Sequence, residues 1–268
     1  MISELKSIKI WLNNAECVTA TICIYKQCGA YPYVVFNLQQ AEELISKATL
    51  ALMNFSMISD NSKSTSTLGF VLPLLGINIV KVKGYGHNWR KEFLKQLKKI
   101  NNNSIFKGFL PQDISKKGNI LIDTASRTKN IPNPKPEEIE QFISSCNYIL
   151  DIADKNNLND LLDFSNNSGG LAVDQKKLAK GLVKSSLFEN DEEVNKTFLE
   201  ILKIAIALIF LAALDVYLSP HFDARYFPDT KEKVQLDEKF PLVIKSDELT
   251  TILKRCINLD KEYLPDKE

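Results

Sequence analysis

Between residues 31 and 52 the chain reads YPYVVFNLQQAEELISKATLAL, and this stretch constrains the fold more than any other. Val35, Leu38, Ala41, Ile45, Ala48 and Leu52 recur three and four residues apart. That spacing lays them along one face of an α-helix and does not fit the two-residue alternation of a strand. Pro32 suits the start of such a helix, because the amide hydrogen it lacks would have no intrahelical partner there. The spacing predicts a helix over about 32–56. Gln39, Gln40, Glu42 and Glu43 interrupt or flank the apolar stripe. The simplest expectation for them is a solvated face whose early carboxylates favour the positive end of the helix dipole.

The same period recurs along the chain. Ile2, Leu5, Ile8, Leu12, Ala15, Val18 and Ile22 predict a first helix over 2–25, ended by a break at residues 28–32. Phe93, Leu94, Leu97 and Ile100 predict a helix starting near His87. Ile139, Phe142, Ile143, Cys146, Ile149 and Leu150 predict another behind an acidic first turn. A long helix is expected over 191–218 and a last one over 246–259. SDNSKSTST and DFSNNSGG are polar turns, GNILIDTA is a candidate short strand, and IPNPKP is a stiff connector. LGFVLPLLGINIVKV suits a helical turn, a strand or an irregular core segment equally. No internal repeat is visible, and the class is mainly α.

Composition narrows the function classes. The 268 residues suffice for one large domain or two modest ones. Their 34 basic and 33 acidic side chains nearly cancel, so no global field draws the chain to nucleic acid or to an anionic membrane. Nucleic-acid binding would have to come from a local patch. The oiliest run, IAIALIFLAAL, is about half of the ~20 residues a membrane span needs and reads as a core helix. Glu4, Lys6 and Lys9 break the first apolar segment, so no signal peptide is expected, and a cytoplasmic protein is. Five cysteines form no CxxC pair, and the only imidazoles are His87 and His221. Neither a metal site nor another cofactor is expected, and the thiols should be reduced and mostly buried. The 10 glycines include no phosphate-binding loop pattern.

Two short motifs hold both histidines. Gly86-His87-Asn88-Trp89-Arg90 opens one expected helix, and His221-Phe222-Asp223-Ala224-Arg225-Tyr226-Phe227-Pro228-Asp229 closes another. His87 and Arg90 are three apart and His221 and Arg225 four apart, so each pair suits one helix face. An arginine clamps phosphate oxygens bidentately, and an imidazole moves a proton near neutral pH. The structural alternative is a capping histidine and an arginine bridged to a carboxylate.

Taken in order, three segments resemble the HEPN family, the helical nucleotide-binding domains of prokaryotes and higher eukaryotes. Phe36, Gln39, Gln40, Ala41, Glu43, Lys47, Ala48 and Leu50 match its second-helix motif. His87, with Leu94 and Leu97, resembles its histidine helix start, and Tyr217, Arg225, Tyr226, Pro228 and Asp229 resemble its third motif. The resemblance implies an antiparallel four- or five-helix bundle built from residues 1–100 and 191–268. Residues 101–190 would form a largely helical insertion of loops and short helices.

It also implies a homodimer that binds a nucleotide or RNA in a defence or toxin–antitoxin system, with a nucleotidyltransferase as a partner. The binding residues would be His87, Arg90, His221, Arg225, Tyr226, Asp229, Gln40 and Glu43, with no membrane role. Many members of the family are metal-independent ribonucleases that carry an arginine four to six residues before a histidine. No arginine precedes His87 here, so a binding module is the first reading. A divergent ribonuclease toxin and a structural partner-binding helical protein are the alternatives.

Overall fold

The computed structural model describes residues 2–58, 135–137, 139, 140, 142–144, 147, 211, 214, 236–262 and 264. The expected helix near His87, the candidate strand GNILIDTA and both polar turns lie outside them; of the helix expected over 191–218 only Leu211 and Leu214 are described, both helical and buried. Among the described residues all regular structure is helical and there is no strand. Four helices have defined bounds: α1 (Ile2–Gln27), α2 (Tyr31–Ile58), α3 (Pro241–Ile244) and α4 (Ser246–Glu262). Further helical residues fall between Pro136 and Asn147, where the Ile139 amide donates to the Lys135 carbonyl at 3.2 Å.

The first two helices form an antiparallel hairpin. Its turn comes from one glycine in the left-handed region, Gly29 at φ +71°. The Gly29 amide donates to the Lys26 carbonyl at 3.1 Å, and the Ala30 amide to the Tyr25 carbonyl at 2.9 Å. Those two bonds are the Schellman pattern, which satisfies the last carbonyls of α1 and turns the chain back at once. The Ala30 carbonyl then accepts the first amide bonds of α2, from Tyr33 and Val34. The Tyr25 and Tyr33 rings stack across the turn with centroids 5.3 Å apart.

Each long helix buries a seam of residues three and four apart. On α1 it is Ile8, Leu12, Ala15, Thr19 and Ile22, so Thr19 is buried where the sequence pattern put Val18, which is half-buried. On α2 all six expected apolar positions are buried, and the small side chains of Ala41 and Ala48 let a neighbouring helix approach closely. On α4 the seam is Ser246, Leu249, Leu253, Cys256, Ile257 and Asp260.

Polar ties fix where α4 lies. Lys26, in the last turn of α1, reaches Asp247 in the first turn of α4 at 2.6 Å. Lys261, in the last turn of α4, reaches Glu16 of α1. The helix α4 therefore runs antiparallel to α1 and in the same direction as α2. It packs against both. Both pairs are substantially solvent-exposed, so each contributes at most about 1 kcal/mol and sets alignment more than stability. The short α3 enters with Pro241 as its first residue after the buried Phe240. At its junction with α4, Lys245 lies 3.3 Å from Glu248 and 3.5 Å from Glu140.

A Cβ added at Gly29 would meet nothing within 4 Å, so a substitution there is penalised by the backbone alone. Gly29→Ala should destabilise the chain by about 1 kcal/mol, and Gly29→Asn by less, because asparagine tolerates the left-handed region. Urea unfolding followed by circular dichroism measures both, with the native helical signal unchanged.

Candidate functional site: the polar faces of α2

An amphipathic helix at a protein surface has one buried stripe and one wet face. The helix α2 departs from this pattern. From Val34 to Leu52 every residue is buried except Phe36, Gln40, Glu43, Leu44 and Lys47, which are half-buried. The helix therefore has three faces. The apolar seam of Val34, Leu38, Ala41, Ile45, Ala48 and Leu52 is one of them. The half-buried row of Phe36, Gln40, Glu43 and Lys47 lies roughly opposite. Between them runs a stripe of Gln39, Glu42, Ser46 and Thr49, spaced three, four and three residues, polar throughout and buried throughout.

The expectation of a solvated face for the four polar residues therefore fails for Gln39 and Glu42, which are 6% and 1% exposed. Nor does the helix dipole favour the two glutamates. The helix begins at Tyr31 and has no acid in its first turn, so both glutamates sit mid-helix, beyond the reach of its positive end.

The stripe is hydrogen-bonded for most of its length. The Ser46 hydroxyl donates to Glu42 Oε1 at 2.7 Å. At its far end the Thr49 hydroxyl is 2.6 Å from Asp260 Oδ2 of α4 and 2.9 Å from the Ile45 carbonyl. Asp260 is itself buried, and burial pushes its carboxyl up to about 7, against the smaller downward pull of the Thr49 hydroxyl. One turn earlier, burial pushes the Cys256 thiol up as well, with the Asp260 charge adding to the effect and Arg255 opposing it. That thiol is a packed apolar group and not a nucleophile.

Of the residues singled out from sequence, Gln40 and Glu43 sit together on the half-buried row of α2, where Glu43 pairs with Lys47 one turn on. His87, Arg90, His221, Arg225, Tyr226 and Asp229 lie outside the described residues. Sequence reasoning did not single out Ser46, Thr49 and Asp260. The signal for Asp260 was present, since an acid occupies a position in step with Leu249, Leu253 and Cys256 on the last helix.

The cysteine expectation is corrected too. Cys17, Cys23 and Cys28 are exposed, on the outer face of α1 and in its turn, and among the described cysteines only Cys256 is buried; Cys146 lies outside the described residues. Among the described residues no group of three or more histidine, cysteine, aspartate or glutamate side chains is placed to hold a metal ion. Nor is any described helix long and apolar enough to cross a membrane. No family model, curated protein or solved structure matches the chain.

The neighbouring polar residues of α2 should therefore respond very differently to truncation. Glu42→Ala leaves the buried Ser46 hydroxyl without its acceptor and opens a gap, and should destabilise by about 2–4 kcal/mol. Gln40→Ala should stay within about 0.5 kcal/mol. Thr49→Val, which keeps the side-chain shape and removes the hydroxyl, should lose about 1–3 kcal/mol. Chemical denaturation of the three variants measures these differences.

Proposed function

We propose that the chain is a HEPN-like helical module that binds a nucleotide or RNA and acts as a homodimer in a defence or toxin–antitoxin system. A nucleotidyltransferase is its proposed partner. The observation that carries this reading is the division of the second-helix motif on α2. Ala41, Ala48 and Leu50 of the motif are core residues, while Gln40, Glu43 and Lys47 form a half-buried polar row on the face of the helix opposite its apolar seam. A structural helix needs the first set; a ligand needs the second.

In this reading Gln40 offers an amide that both donates and accepts, suited to a base edge, and Glu43 and Lys47 hold each other in place beside it. Arg90 and Arg225 would clamp phosphate oxygens, His87 and His221 would lie alongside them, Tyr226 would offer a stacking face and Asp229 an acceptor for a ribose hydroxyl. With basic and acidic residues nearly balanced, affinity would come from this patch and weaken as salt rises. Without an arginine ahead of His87, the arrangement favours binding over strand cleavage.

The test is a titration of the purified full-length chain with fluorescent single-stranded RNA and, separately, with ATP and AMP, alongside incubation with total RNA in EDTA. Binding to one of these probes without cleavage is expected, and Arg225→Ala and His87→Ala should each weaken it about tenfold or more. Cleavage abolished by either substitution would make the chain a ribonuclease instead. Failure to bind any of the probes would remove the nucleotide reading.

A further inference from the structure

The contact between Thr49 and Asp260 has a hydrogen-bonding arithmetic of its own. A threonine hydroxyl carries one proton, yet Thr49 Oγ1 stands within bonding distance of two acceptors, the Ile45 carbonyl at 2.9 Å and Asp260 Oδ2 at 2.6 Å. The Ile45 carbonyl already accepts the helical amide of Thr49, so the carboxyl is the acceptor that decides. With Asp260 ionised, one hydroxyl proton is the only donor among the described residues for two desolvated carboxylate oxygens. With Asp260 neutral, its own O–H donates to Thr49 Oγ1 and the Thr49 proton goes to the Ile45 carbonyl. Both contacts are then satisfied at once.

The surroundings favour the same state. Asp260 is 2% exposed and sits on the buried seam of α4, in the last turn of that helix, where the dipole disfavours an anion. Thr49 is its only hydrogen-bonding partner among the described residues. The nearby charges are otherwise committed. On α4, Lys261 pairs with Glu16 of α1, and Arg255 and Cys256 lie on the preceding turn, with the Arg255 charge acting on the Cys256 thiol. On α2, Glu42 stands two turns before Thr49 and accepts from Ser46.

We infer that Asp260 is a proton-operated latch: its neutral carboxyl holds the last turn of α4 against α2, and its ionisation releases that turn. The sign follows from the direction of the shift. The folded chain binds this proton more tightly than the unfolded chain, so the added stability is complete below about pH 4 and is lost as pH rises to about 7, where the group ionises in place. Across that window the folding equilibrium constant should fall roughly a thousandfold on this group's account alone.

Two measurements on the full chain decide the matter. The carboxyl carbon of Asp260, followed by NMR and assigned by its loss in Asp260→Asn, should titrate above pH 6. Amide exchange of residues 257–262, corrected for intrinsic rate, should show protection at pH 5.5 that falls by at least tenfold at pH 8.5. In Asp260→Asn, whose amide is neutral at both pH values, protection should not change between them. A midpoint below pH 5, or equal protection of the wild-type turn at both pH values, overturns the latch even where the variant does not fold.

Discussion

A helix enclosed on nearly all sides must solve a problem that a surface helix does not have. Its backbone is satisfied internally, but each side chain must match whatever packs on its own face. Residues 34–52 of α2 do this by dividing the circumference, and the rest of the described structure follows from that division. The seam of Leu38, Ala41, Ile45 and Ala48 matches the three-and-four spacing of Ile8, Leu12, Ala15 and Ile22 on α1. The glycine turn at Gly29 brings the two seams together with almost no intervening chain. The helix α4 then packs against both members of the hairpin.

Burial of the polar stripe changes the energetics of that packing. An apolar seam tolerates sliding by a turn, since one aliphatic side chain replaces another with little loss. A buried carboxyl does not, because any register that separates Asp260 from Thr49 leaves a desolvated acid without a partner. The contact thus fixes alignment in addition to its effect on stability, much as a single polar residue fixes register in a coiled-coil seam. The ion pairs of Lys26 with Asp247 and of Lys261 with Glu16 point to the same register from the solvent side. Three independent contacts, one buried and two exposed, agree on where α4 sits.

What the sequence revealed was periodicity, and what it hid was enclosure. The bounds of α1, α2 and α4 follow the apolar spacing to within a few residues, because that spacing is set by the helix itself. Whether Gln39 and Glu42 face water depends instead on what packs over them, which no local pattern encodes. A polar side chain beside an apolar stripe looks the same whether it borders solvent or a second buried face. The same blindness put Val18 in the α1 seam, since Val18 and Thr19 are adjacent on the helix and hydropathy favours the valine. Tertiary packing chose the threonine, whose hydroxyl is satisfied by the Glu16 carbonyl at 2.9 Å. Of the candidate site, only Gln40 and Glu43 fall within the described residues, so its legibility rests on α2.

The two polar faces of α2 are suited to different work because their side chains differ in freedom to exchange partners. Gln40 and Glu43 are half-buried and can trade a water or an intrahelical bond for a ligand at little cost. Glu42, Ser46 and Thr49 cannot, because each is desolvated and any exchange must break a bond that water does not replace. In the proposed reading recognition falls to the first face, while the second sets structural specificity. A ligand held by Gln40 would still act on the same rigid element that carries Thr49, since a buried helix moves as a body. The physical link between the two faces is thus the helix itself, with Asp260 at one end of its polar stripe.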